Sequence, residues 1–139
     1  MRKPFSRAAL LFLSLSLVVG CSDPLTPESV AGTYVATSFT ISGDVTEDVL
    51  AAGGSLTITF NAGGTTSGSL FVPAGSFDSG GMDFTADMAG TFILTNEAIT
   101  LTQAADSFVR DLTWTVDGNQ INGTGTFSGV TITVVLSRQ

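Results

Sequence analysis

Few side chains in this protein could do chemistry. The 139-residue sequence contains no histidine and one cysteine, Cys21. Without an imidazole there is no ready proton shuttle at neutral pH. Serines are numerous, but none lies in a Gly-x-Ser-x-Gly turn and none has a basic partner nearby in sequence. Asp83 and Asp87 lie four residues apart with parity opposite to Phe84, Ala86 and Met88, which turns both acids to solvent as solubilising charges. Asp44, Glu47 and Asp48 form an acidic cluster, and Asp117 and Asn119 flank Gly118 in a tight turn. Neither has the ligand spacing of a dedicated calcium loop. No catalytic residue, metal site or cofactor is therefore expected.

Beyond residue 20 the only cations are Arg110 and Arg138. Counting by twos from Trp114 through Leu112 places Arg110 on an apolar face, and counting from Leu136 places Arg138 there too. An arginine at the edge of an apolar interior suits a ligand carboxylate, which its planar fork grips through two hydrogen bonds. The alternative for Arg110 is an ion pair with Asp106 or another acid at a rim. For Arg138 the preferred reading is a structural cap over Tyr34.

The cysteine carries the clearest chemistry. Arg2, Lys3 and Arg7 precede an apolar run over residues 8–19, too short to span a bilayer as a helix and of the length of a secretory signal core. The run ends in Val18-Val19-Gly20-Cys21, which resembles a bacterial lipobox. That resemblance implies diacylglyceryl transfer to the Cys21 sulfur, removal of residues 1–20 as a signal peptide, and acylation of the new N-terminus. Several acyl chains anchor a protein durably, whereas one binds only marginally. Ser22 rather than Asp follows the cysteine, the pattern of outer-membrane delivery in bacteria that sort lipoproteins at this position.

From Cys21 onward, two arginines face twelve acids, a formal charge of −10. Such a surface repels nucleic-acid phosphates. It also does not adsorb to anionic lipid, so membrane attachment falls to the lipid anchor alone. With its single cysteine acylated, the domain has no disulfide to hold it.

Residues 21–31 read as an acylated tether broken by Pro24 and Pro27. From residue 32 to 139 a period of two dominates. Leu56, Ile58 and Phe60 alternate with threonines, as do Ile99 and Leu101, Leu112, Trp114 and Val116, and Val130, Ile132, Val134 and Leu136. One apolar face and one threonine face is the pattern of antiparallel sheet buried on one side. Turn residues at Asn61–Gly64, Asn96, Asp117-Gly118 and Ser128-Gly129 separate the runs. Strands are expected near 33–41, 55–60, 65–72, 82–88, 90–94, 98–103, 108–116, 120–127 and 130–137. Residues 46–52 read as a short helix with Thr46 as its N-cap and Gly53 as its stop, and residues 73–81 as a Gly/Ser-rich loop. The expected fold is all-β, an up-and-down antiparallel meander of 8–9 strands that removes its edges by closing into a small barrel.

Gly32-Thr33-Tyr34 at the opening strand, a short helical segment after it, and Arg138 ending the last strand together resemble the bacterial lipocalin-like domains of the calycin group. The resemblance carries Tyr34 in place of the family's tryptophan. It implies an eight-stranded barrel with Arg138 packed over Tyr34, and an interior able to hold a small ligand. Inward residues are expected to include Phe60, Leu70, Phe84, Met88, Phe92, Leu101, Trp114, Phe127, Ile132 and Leu136. Gly123 and Gly125 leave room beside them, either for an acyl chain or for a bend in the strand. The expected function is non-catalytic binding of a small hydrophobic or amphipathic ligand by Arg110, Trp114, Phe60, Phe84, Met88 and Phe127. The alternative is a structural or protein-interaction lipoprotein, inhibitor-like in type, whose barrel is filled by its own side chains.

Overall fold

The computed structural model describes residues 23–76 and 81–139. Cys21, the expected signal peptide and residues 77–80 of the Gly/Ser-rich loop lie outside the described residues. A helical turn α1 (Pro27–Val30) precedes ten strands: β1 (Gly32–Ser42), β2 (Thr46–Asp48), β3 (Ser55–Phe60), β4 (Thr65–Val72), β5 (Phe84–Asp87), β6 (Gly90–Thr95), β7 (Ala98–Gln103), β8 (Thr113–Asp117), β9 (Gln120–Phe127) and β10 (Val130–Arg138). Eight of them form a closed antiparallel ring in the order β1, β3, β4, β6, β7, β8, β9, β10, with β10 returning to β1. Each strand pairs with its successor around the ring, so the expected meander and its closure are both present.

The alternation works as the sequence dictates. Leu56, Ile58, Phe60, Ile99, Leu101, Trp114, Val116, Ile132, Val134 and Leu136 are buried in one core. Outside, the threonine faces pair hydroxyls across strands: Thr33 Oγ1 with Thr59 Oγ1 at 2.9 Å, and Thr126 Oγ1 with Thr131 Oγ1 at 3.1 Å. Cross-strand pairs of this kind add a few tenths of a kcal/mol each, up to about 1.

Two local devices bend the sheet into a ring. In β1 the register against β10 slips between Ala36 and Ser38, leaving Thr37 as an extra residue. Burial passes from Tyr34 and Ala36 before the bulge to Phe39 and Ile41 after it, so the slip keeps one face apolar along an eleven-residue strand. β5 and β6 hold one continuous register against β4, from Phe84↔Val72 to Thr91↔Thr65, and behave as one bent strand interrupted at Met88 and Ala89. At that interruption the Met88 N–H donates to the Gly68 carbonyl (3.1 Å), and the Thr66 hydroxyl donates to the Met88 carbonyl (2.7 Å). Gly68 has φ +135°, and a Cβ there would run into the Thr57 carbonyl oxygen of β3.

Three expectations about local structure require correction. The short helical segment after the first strand is present, but Thr46 does not cap it. Thr46–Asp48 is strand β2, paired with Thr40–Ser42, and the single turn begins at Asp48, whose Oδ1 accepts from Ala51 N–H at 3.1 Å. The stretch expected as strand 108–116 starts instead as a 3₁₀ turn at Phe108–Asp111, leaving only Thr113–Asp117 as strand. The segment read as a tether carries α1, with Pro27 at its first turn and a reciprocal Thr26–Ser29 capping box.

Candidate functional site

Buried side chains pack into both ends of the barrel. At the base, where β1 begins and β10 ends, Tyr34 is fully buried and its ring meets Phe60 edge-on at 5.5 Å. Arg138 lies over that ring, its guanidinium carbon 5.2 Å from the centroid. Its Nε and Nη2 donate to the Tyr34 hydroxyl at 3.0 and 2.6 Å, and Nη2 also donates to the Ser29 carbonyl at 2.7 Å. Val30 of α1 is buried in the core beside this cluster. The cap expected from the sequence is therefore a hydrogen-bonded clamp that holds the preceding helical turn as well.

A test follows directly. Tyr34→Phe keeps the ring and removes the acceptor of two guanidinium hydrogen bonds, so chemical denaturation should show a loss of about 1.5–3 kcal/mol. A loss below half a kcal/mol would mean that the clamp is ornamental.

At the opposite end, the rim, the chain supplies two plugs that the alternation did not reveal. Val49, in the turn after β2, and Val109, in the 3₁₀ turn, are both fully buried. The Phe108 ring lies 5.9 Å from Phe39. Each plug sits in a short apolar stretch, Val49-Leu50-Ala51-Ala52 and Phe108-Val109, that is too brief to register as periodicity.

The six residues expected to contact a ligand fall into two groups. Trp114, Phe60 and Met88 are buried, and Phe84 and Phe127 are partly buried against the same core. Phe60 also packs edge-on against Phe92 at 5.1 Å. Arg110 is not among them. Because Phe108–Asp111 is a 3₁₀ turn rather than strand, counting by twos fails there, and Val109 takes the inward position. Arg110 instead pairs at the rim with Asp106 (2.6 Å) and Asp111 (3.5 Å). Exposed pairs like these contribute at most about 1 kcal/mol.

The space beside Gly123 and Gly125 is occupied by protein. A Cβ on Gly123 would sit 2.5 Å from Cζ3 of Trp114, and one on Gly125 would sit 2.9 Å from Leu112 Cδ2 and 3.0 Å from the Phe127 ring. The indole is fixed from its other edge, Nε1 donating to the Val109 carbonyl at 2.8 Å. These glycines make room for Trp114, Leu112 and Phe127.

The chain matches no known protein family, no curated protein and no solved structure. Any reading of the site thus rests on its geometry.

Polar groups inside the wall are few. Gln103 Nε2 donates to the Met88 carbonyl at 3.3 Å, while Gln103 Oε1 and Ser107 Oγ are buried without a hydrogen-bond partner among the described residues. They lie beyond the seam between β7 and β8, which is joined by Ala98↔Thr115, Ile99↔Trp114 and a hydrogen bond from Val116 N–H to the Glu97 carbonyl at 2.8 Å. The acids are spread over the surface, and no group of three or more metal-ligating side chains is assembled among the described residues. Open grooves are bordered by described residues. One of about 520 Å³ is bordered by Asp23, Leu25, Glu97 and the β8–β9 hairpin, and one of about 410 Å³ at the rim by Ile41, Val45, Glu47 and Val130.

Proposed function

We propose that the protein is a non-catalytic envelope lipoprotein, anchored through Cys21, whose side-chain-filled barrel acts through its surface on a protein partner. The observation that carries this reading is the seating of the Trp114 indole against Gly123, where a luminal ligand would otherwise lie. The Tyr34–Arg138 clamp at the base and buried Val49 and Val109 at the rim support it, as does Arg110 lying among rim acids rather than inside. The absence of histidine and of a Gly-x-Ser-x-Gly turn from the sequence supports a non-catalytic role. A ligand-carrying role would require Trp114 and Leu112 to swing away from the glycines of β9 and the Phe127 ring to turn aside with them.

Titration of the purified domain with fatty acids and lipophilic dyes, followed by Trp114 emission, separates these readings. The filled barrel gives no saturable change across ligand classes, in the native protein or in Arg110→Ala. A saturable change at one equivalent, weakened by Arg110→Ala for carboxylate ligands only, would restore the carrier. Metabolic labelling with radioactive palmitate, in the native protein and in Cys21→Ala, tests the anchor: label should appear in the first and be absent from the second.

A further inference from the structure

We propose that the barrel is mounted on the membrane end-on: its base faces the lipid headgroups, and its acidic rim is presented outward to the partner. This rests on the anchoring of Cys21. The structural argument begins with the segment that joins anchor and barrel. α1 is held by its capping box, by burial of Val30, and by the hydrogen bond from Arg138 to the Ser29 carbonyl. The chain is therefore tied to the base from Thr26 onward. Before it, Asp23 and Leu25 border a groove with Glu97 of the β6–β7 turn, Thr115–Asp117 at the end of β8 and Gly118 of the β8–β9 turn, which also lie at the base.

Chain length then limits the geometry. Consecutive Cα atoms are 3.8 Å apart, so the Cα of Cys21 lies within about 8 Å of that of Asp23. Even a fully extended stretch over residues 21–25 reaches only about 17 Å. β1 has eleven residues; at about 3.3 Å per residue and a strand tilt near 40°, base and rim are separated by roughly 25 Å. A short mount fixed at one end of a taller body favours that end at the bilayer.

Charge acts in the same direction. Among the described residues the rim segments carry Asp44, Glu47, Asp48, Asp83, Asp106 and Asp111 against Arg110 alone. The base carries Asp23, Glu28, Glu97 and Asp117 against Arg138. An anionic leaflet repels the rim more strongly than the base and opposes tipping. The outward rim also displays Val45, which is 79% exposed, and Met82, 70% exposed. An acidic surface with isolated apolar tips suits a partner that is basic with apolar contacts.

The test uses the full-length, cell-processed lipoprotein in vesicles of phosphatidylcholine and phosphatidylglycerol. Single cysteines at Glu97 or Asn119 (base) and at Val45 or Asp106 (rim) carry a fluorophore, with an energy-transfer acceptor on the lipid headgroups. Base labels should be quenched several-fold more than rim labels, and a long Gly/Ser insert after Pro24 should erase the difference. Equal quenching at both ends of vesicle-bound protein overturns the end-on mount while leaving the anchor intact; a difference that survives the insert keeps the mount and overturns the short tether as its cause. Protein that fails to float with the vesicles, behaving like Cys21→Ala, overturns the anchor and the mount together.

Discussion

Trp114→Ala should lower the unfolding free energy by about 3–5 kcal/mol, the range for deleting a large aromatic from a core that relaxes only partly. Three losses combine in that figure. The indole is 1% exposed and packs on Gly123, so its removal leaves a void floored by backbone. Its N–H also satisfies the Val109 carbonyl, which then needs another partner in a buried setting. The 3₁₀ turn that plugs the rim loses its tie to β8. Guanidinium denaturation followed by far-UV circular dichroism measures the cost, and a loss under 1 kcal/mol would show that the ring is peripheral. The same variant makes a second expected result. An apolar void of this kind stays dry and accepts small apolar molecules, so Trp114→Ala should bind benzene-sized ligands that the native barrel excludes. Calorimetric titration of both proteins reads that difference.

Gly68→Ala should cost about 3 kcal/mol or more and lower the melting temperature by over 10 °C, taking roughly 4 °C per kcal/mol for a domain of this size. Two penalties act at one Cβ. A φ of +135° belongs to a region that side chains other than glycine occupy only under strain of about 1–3 kcal/mol. The added carbon also strikes the Thr57 carbonyl, so β3 and β4 must separate at the place where the bent β5–β6 strand turns the sheet. Gly63→Ala is a suitable control, since a Cβ there meets nothing within 4 Å and its backbone is unstrained. Similar melting temperatures for the two variants would remove the bend from the account.

These sites show which features could be read from the chain. Strict alternation of threonine with large apolar residues identified β3, β7 and β10 nearly to the residue, because one-sided burial leaves no other register. It failed where a single residue changes the local geometry. Thr37 is an ordinary strand residue by type, yet as a bulge it moves the inward parity from Ala36 to Phe39. Phe108–Asp111 alternates well enough to pass as strand, but it folds as a 3₁₀ turn, which sent Arg110 outward and Val109 inward. Thr26-Pro27-Glu28-Ser29 carried a readable signal, a capping residue followed by proline at the first helical position. Pro24 and Pro27 together give residues 21–31 the look of a tether.

The candidate site was legible in composition and not in shape. The apolar residues expected inside are inside, wholly or in part. Whether the glycines of β9 opened a lumen depended on the reach of Trp114 and Leu112 across from β8, a pairing between neighbours that a one-dimensional pattern does not contain.

Closure of the ring joins the first strand to the last, and its clamp links residues 104 positions apart. Hairpins form within microseconds, but a contact of this span must wait for the whole circle to be laid out. Until the final residues arrive, β1 and β9 each present a bare edge, so a chain shortened by its last strand has a seam that nothing within it can zip. The ring cannot close until β10 has been made.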